Sequence, residues 1–217
     1  MTILASLAAD ARLYLHLRFP GAEPNFFRLG RLWCISPGLW VLASHRAAHR
    51  YSRTGSTVFW STVYKVCPGI AVRFGSYLAK VLVKCDLQAS TQVGDGVFLS
   101  NHGHMVLGAR SIGSGSIIHE RVTIGMDLMG GNVPEIGRNV WIGPDCVIYG
   151  EIAVGDGATV LPGTVLTKSI PPGSVVQGNP ARIIKRHFEN SGLRANLSPD
   201  CESFFGREPR TTEGKDV

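Results

Sequence analysis

Residues 134–166 read PEIGRNVWIGPDCVIYGEIAVGDGATVLPGTVL, and within them a branched aliphatic side chain returns at every sixth position: Ile136, Ile142, Ile148, Val154, Val160 and Leu166. Glycine follows three of them, as Gly137, Gly143 and Gly155. A period of six fits neither an amphipathic helix, with about 3.6 residues per turn, nor the two-residue alternation of a simple strand. It fits a β-helix, in which each hexapeptide is one short strand plus a turn and successive coils stack their aliphatic side chains into rungs. Toward the N-terminus the same register takes in Val93, Leu99, Val106, Ile112, Ile118 and Ile124. Two steps are irregular, seven residues from Leu99 to Val106 and twelve from Ile124 to Ile136. Those two irregularities point at the active site.

By pattern the 217 residues divide into a helical segment over 1–85, the β-helix over 86–187 and a polar, flexible tail over 188–217. In the first segment Leu4, Leu7, Ala8, Ala11, Tyr14 and Leu15 have helical spacing. Ser36-Pro37 reads as an N-cap followed by proline at the first helical position. A further helix carries Leu42, Ala43, Ala47 and Ala48 on one side, with Gly55 to stop it. The apolar piece from Ile70 to Val83 reads as a helix packed on the β-helix or on another subunit. In the tail Phe204-Phe205 stands out as a docking point.

The net charge is +6, with the basic residues concentrated before residue 85 and after Lys168. No interleaving of aromatic and basic residues marks a nucleic-acid module. The five cysteines are odd in number and lack metal-ligand spacing, so neither a disulfide framework nor a metal site is expected, and a reducing cytoplasm is the natural compartment. Asp10 and Arg12 interrupt the N-terminal apolar run and argue against a signal peptide. His45 and His49 sit four apart on a helix beside Arg46 and Arg50 and read as a solvated face.

Three stretches carry a family resemblance. The segment from Ile136 to Arg186, with its PPGS…GNPAR exit, resembles the closing coils of hexapeptide acyltransferases. LSNHGHMVLG (99–108) with SIIHERVTIG (116–125) resembles the active-site coil of serine acetyltransferases and their capsular and colanic polysaccharide relatives. ISPGLWVLASHRAAHRYSRTG (35–55) is similar to the helical domain of the same group. The resemblance implies a left-handed parallel β-helix behind an α-helical domain, assembled as a homotrimer with acetyl-CoA in a groove between neighbouring subunits. Pairing of trimers into hexamers is left open. A histidine acts as general base on the acceptor hydroxyl, as an imidazole with an ordinary pKa of about 6.5 can near neutral pH.

Aligned without gaps, the family's catalytic histidine falls on Asn101 and the aspartate before it on Ser100. His102 and His104 follow within the seven-residue step, where a bulge would re-aim a side chain toward the cleft. His102 is the expected base, with Asn101 or His119 orienting base or acceptor and His104 as a further candidate. For the cofactor the resemblance nominates Gly125, Gly143, Pro144 and Pro162 along the pantetheine. Lys168, Arg182 and Lys185 are nominated for the phosphates. The loop GMDLMGGNVPEIG (125–137) carries Asn132-Val133 where serine acetyltransferases carry Arg-His before the proline. Lacking that arginine to pair with a carboxylate, the loop favours a sugar or other small hydroxyl acceptor, with serine as the alternative. Two rivals remain at this level: a non-catalytic hexapeptide scaffold, and a transferase in peripheral membrane contact, which is not favoured.

Overall fold

The computed structural model describes residues 3–19, 25–53, 84–100, 103–127 and 131–195. The expected helix before Lys84 and Phe204-Phe205 lie outside them. Three helices come first: α1 (Ile3–Arg18), α2 (Phe26–Ile35) and α3 (Pro37–Arg53). Short strands follow in triplets, one triplet per coil. The first coil holds β1 (Cys85–Leu87), β2 (Gln92–Val93) and β3 (Phe98–Leu99); the second β4 (Met105–Leu107), β5 (Ser111–Ile112) and β6 (Ile117–Ile118). The third holds β7 (Thr123–Gly125), β8 (Glu135–Ile136) and β9 (Trp141–Ile142); the fourth β10 (Val147–Tyr149), β11 (Ala153–Val154) and β12 (Thr159–Val160). The last has β13 (Val165–Leu166), a bridge at Ile170 and β14 (Val175–Gln177). An added strand, β15 (Arg182–Lys185), pairs antiparallel with β14, and a short helix, α4 (Ser191–Ala195), closes the described chain.

Every third strand stacks in parallel on the one below, giving three faces: A (β1-β4-β7-β10-β13), B (β2-β5-β8-β11) and C (β3-β6-β9-β12-β14-β15). The aliphatic period is the cause, since each face turns one aliphatic column inward. Face A supplies Leu87, Leu107, Ile124, Ile148 and Leu166, all buried, and face C supplies Leu99, Ile118, Ile142, Val160 and Val176. The turns accept left-handed backbone where the coils need it: Gly115, Asn139, Gly157 and Gly173 all have positive φ at one corner.

The register corrects one rung. Leu107, not Val106, pairs with Leu87 and Ile124 and is fully buried, whereas Val106 is only half-buried. The irregularity is therefore eight residues followed by five, the inward position falling one place further along the chain.

A solenoid's first coil has no coil before it to pair with its backbone, and here the helices supply the partners. The Tyr14 hydroxyl donates to Leu99 O at 2.8 Å and accepts from Leu99 N at 2.9 Å. Arg46 donates to Val93 O and Gly94 O, and to both oxygens of Asp10 at 2.8 and 3.0 Å. Asp10 in turn accepts from Val97 N. His45 is buried with its Nε2 3.3 Å from Gln88 O. The solvated reading of the His45 face is thus overturned, because this side of α3 lies on the open strand edge. Ser36 is buried with its hydroxyl unpartnered, so only its carbonyl, accepting from Leu39 N, starts α3. The expected flexible tail is docked through Ala195. Asn190 donates to Asn139 O, Gly157 O and Ala158 O, and Arg194 to Gly115 O, so this segment climbs the corner of the coils. Among the described residues no helix is long and apolar enough to cross a membrane.

Candidate active site

The corner joining face C to face A gathers most of the chemistry, because the first three strands of face C are each followed there by a polar or small residue. Ser100, His119 and Gly143 follow the inward Leu99, Ile118 and Ile142 and stack in register, Ser100 N donating to Ile118 O and His119 N to Ile142 O. His119 is 4% exposed, its ring tilted against Trp141 at 4.9 Å between centroids. Its Nδ1 lies 3.9 Å from a Glu120 carboxylate oxygen, and the same oxygen accepts the Ser100 hydroxyl at 3.0 Å. The Nε2 atom is buried with no hydrogen-bond partner. Burial pushes the His119 pKa below the ordinary imidazole value, against a weaker upward pull from Glu120, so the ring is neutral at neutral pH.

A neutral imidazole with one nitrogen uncommitted is a competent proton acceptor. Cys146, the buried thiol nearby in the fold, is not a competing nucleophile. Burial raises its pKa to about 11, and its Sγ lies 3.2 Å from Leu161 O.

Of the residues expected from the sequence, the structure brings His104, His119, Gly143, Pro144 and Pro162 to this corner. His104 is exposed and sits beside the Arg121 turn. Gly143 lies against Pro162, where an added Cβ would meet the ring at 2.9 Å, so the position tolerates no side chain. Asn101 and His102 lie outside the described residues. Gly125 and Lys168 belong to the next corner, between faces A and B. Arg182 and Lys185 are exposed on β15 at the far end of face C, Lys185 with its ammonium over the Phe188 ring. Among the described residues no group of three or more metal-binding side chains occurs.

The sequence reading missed Glu120 and Trp141. Both carried a signal, as Glu120 is adjacent to His119 and Trp141 falls directly below Ile117 in the stacked register. The loop of the twelve-residue step is pinned where it is described. Asn132 donates to Glu151 at 2.8 Å, and Pro134 O accepts from Arg110 N. Beneath it an open cavity of about 210 Å³ is lined by Arg110, Val133, Glu135 and Glu151, among others.

Residues 134–168 match the bacterial transferase hexapeptide family (six repeats). Over 204 residues the chain is 32% identical to a serine acetyltransferase from Synechocystis sp., covering 92% of this chain and 75% of that relative. The fold matches a serine acetyltransferase from Brucella abortus in complex with coenzyme A, with a TM-score of 0.64, 25% identity and coverage of 84% and 68% of the two chains. It matches soybean serine acetyltransferase complexed with serine, with a TM-score of 0.66, 25% identity and coverage of 84% and 69%.

Proposed function

Because this chain belongs to the serine acetyltransferase family of hexapeptide-repeat transferases, and is an O-acetyltransferase that uses acetyl-CoA, we propose that its acceptor is the hydroxyl of serine. The observation that carries this reading is the 32% identity to a serine acetyltransferase sustained across 92% of the chain. In the proposed step the acceptor oxygen attacks the thioester carbonyl while an imidazole takes the hydroxyl proton. The C–O bond forms, the C–S bond breaks, and the proton passes to the departing CoA thiolate. Backbone N–H groups of the turns are suited to holding the intermediate oxyanion.

His102 is proposed as the base on the strength of its motif, with Asn101 and His104 as neighbours in that motif. His119 is the second candidate, supported by its neutral, buried ring beside Glu120. His102→Ala abolishes turnover and His119→Ala spares most of it under the first reading; the reverse result selects His119. Gly125, Gly143, Pro144 and Pro162 are proposed for the pantetheine, and Lys168, Arg182 and Lys185 for phosphates.

A sugar hydroxyl is the second reading of the acceptor, favoured by Asn132, whose amide is committed to Glu151 where the family resemblance expects an arginine for the serine carboxylate. Release of CoA thiol with L-serine, against a panel of free and nucleotide-linked sugars, decides between them: serine turnover at the higher kcat/KM supports the first, and sugar-only turnover replaces it. A homotrimer in the cytoplasm, where acetyl-CoA is made, completes the proposal. The outward column of face A (Val106, Thr123, Val147, Val165) supports lateral assembly, being β-branched beyond Asp86 at its first position.

A further inference from the structure

The four turns that carry the chain from face C to face A each place a left-handed residue two positions before the next face A strand. These residues are Gly103, Arg121, Asp145 and Gly163, with φ of 85°, 56°, 59° and 70°. Glycine adopts that conformation freely, whereas a side chain there is strained, and a long one without local backbone bonds is an uncommon occupant. Arg121 pairs with Asp145, both side chains about half-exposed, and an exposed ion pair adds little stability to set against the strain. Arg110–Glu135 and Arg138–Asp156 are similar pairs, but neither of their arginines is left-handed or shares its turn with an imidazole. Strain kept without such a gain is a mark of functional positions. In this turn three consecutive residues, His119, Glu120 and Arg121, carry an imidazole, a carboxylate and a guanidinium. Asp145 accepts from Nε and Nη2 of Arg121 and fixes the fork, leaving three of its five N–H groups with no partner among the described residues. Glu120 gives one oxygen to the Ser100 hydroxyl, and its other oxygen has no partner among the described residues. Gly103 in the turn above leaves room for both side chains, since a Cβ there would meet Arg121 Cγ at 3.0 Å and Glu120 Cβ at 3.1 Å.

We propose that Glu120 and Arg121 recognise the acceptor as an amino-acid zwitterion, Arg121 pairing with its α-carboxylate and Glu120 with its α-ammonium. The β-hydroxyl is thereby set toward the imidazole of the same corner. Arg121 supplies the cation that Asn132, committed to Glu151, does not. A neutral sugar offers neither group a charge to meet. The inference rests on serine as the acceptor and on this corner as the site, and not on which histidine is the base.

Release of CoA thiol by the full chain is followed with L-serine, with L-serinamide, which lacks the carboxylate, and with 3-hydroxypropionate, which lacks the ammonium. The unaltered chain prefers L-serine to each analogue by at least about tenfold in kcat/KM, the usual worth of a charge-assisted hydrogen bond. Arg121→Gly suits the left-handed turn, as Gly103 and Gly163 do. It raises the KM for L-serine by at least about tenfold and erases the preference over L-serinamide, with the KM for acetyl-CoA unchanged. Calorimetric titration of L-serine into Arg121→Gly and Glu120→Gln shows a similar loss of affinity, and reads it even where turnover is too low to measure. An Arg121→Gly enzyme that still prefers L-serine to L-serinamide overturns the proposal. So does a loss that falls on the KM for acetyl-CoA, which would give the guanidinium to a CoA phosphate, or unchanged serine affinity in Glu120→Gln. An unaltered chain that acetylates sugars and not serine removes the serine reading and this recognition with it, a result distinct from a serine-active enzyme indifferent to Arg121→Gly.

Discussion

Single residues at the junction of cap and coil are held in tight quarters. A Cβ at Gly38 would lie 2.4 Å from Leu99 O and 2.6 Å from the Tyr14 hydroxyl, so α3 can approach the first coil only with glycine there. Gly38→Ala is expected to lower unfolding free energy by about 1–3 kcal/mol in chemical denaturation, the usual cost of overpacking a rigid contact. His45, two helical turns away, is buried chiefly at the expense of its charged form, and His49 and Arg46 push its pKa further down, with only Gln88 O pulling up. Its folded pKa lies below its unfolded one. The stability it contributes is present above the ordinary histidine range and is lost as pH falls through that range toward the lowered value. The melting temperature should fall between pH of about 7.5 and about 5, and less steeply in His45→Gln. An equal slope in the variant would reject the assignment. His119 titrates with the same sign, so the variant's slope is reduced but not abolished.

At the scale of elements, α1 and α3 act as the coil that is missing before β1–β3. Their ion pair is enclosed: Asp10 is fully buried, and burial outweighs Arg46 and the backbone N–H groups to leave its pKa raised. Such a pair specifies docking more than it stabilises. Arg46→Met alone should cost about 3–5 kcal/mol by stranding the Asp10 carboxylate, while Arg46→Met with Asp10→Leu costs less than the single change. A double-mutant cycle by denaturant titration measures the difference, and additive losses would contradict it. The face columns were legible in the sequence because a single inward aliphatic per hexapeptide leaves no other register available. Val106 was misplaced because Met105, Val106 and Leu107 are all apolar, and only pairing with β1 and β7 says which ones point inward. The cap's contacts were illegible for a different reason. Asp10, Tyr14 and Arg46 are distant in sequence from Leu99, Gly94 and Val97, and no local period records such partners.

Across the whole molecule the corner segment after β15 ties coils together. Asn190 reaches three carbonyls in two coils, and Asn190→Ala should lower stability by about 1–3 kcal/mol through the lost amide hydrogen bonds, Ala158 O alone keeping a partner in Trp141 N, read from the denaturation midpoint. An unchanged midpoint would show that the segment merely rests on the surface. The candidate site was half legible: the motif named the corner, and stacking register then placed Ser100 over His119. Glu120 and Trp141 escaped because their roles arise from contacts across coils and not from spacing along the chain.

The two ends of the solenoid have a consequence for how the protein can grow. Stacked parallel coils with bare edges would add further coils from any neighbour and lengthen into filaments. Here tyrosine, aspartate and arginine side chains fill the top edge, and the reversed direction of β15 ends the parallel stacking at the bottom. End-to-end addition of coils is thereby blocked, and stripping either lid by mutation should turn a discrete particle into a fibre former.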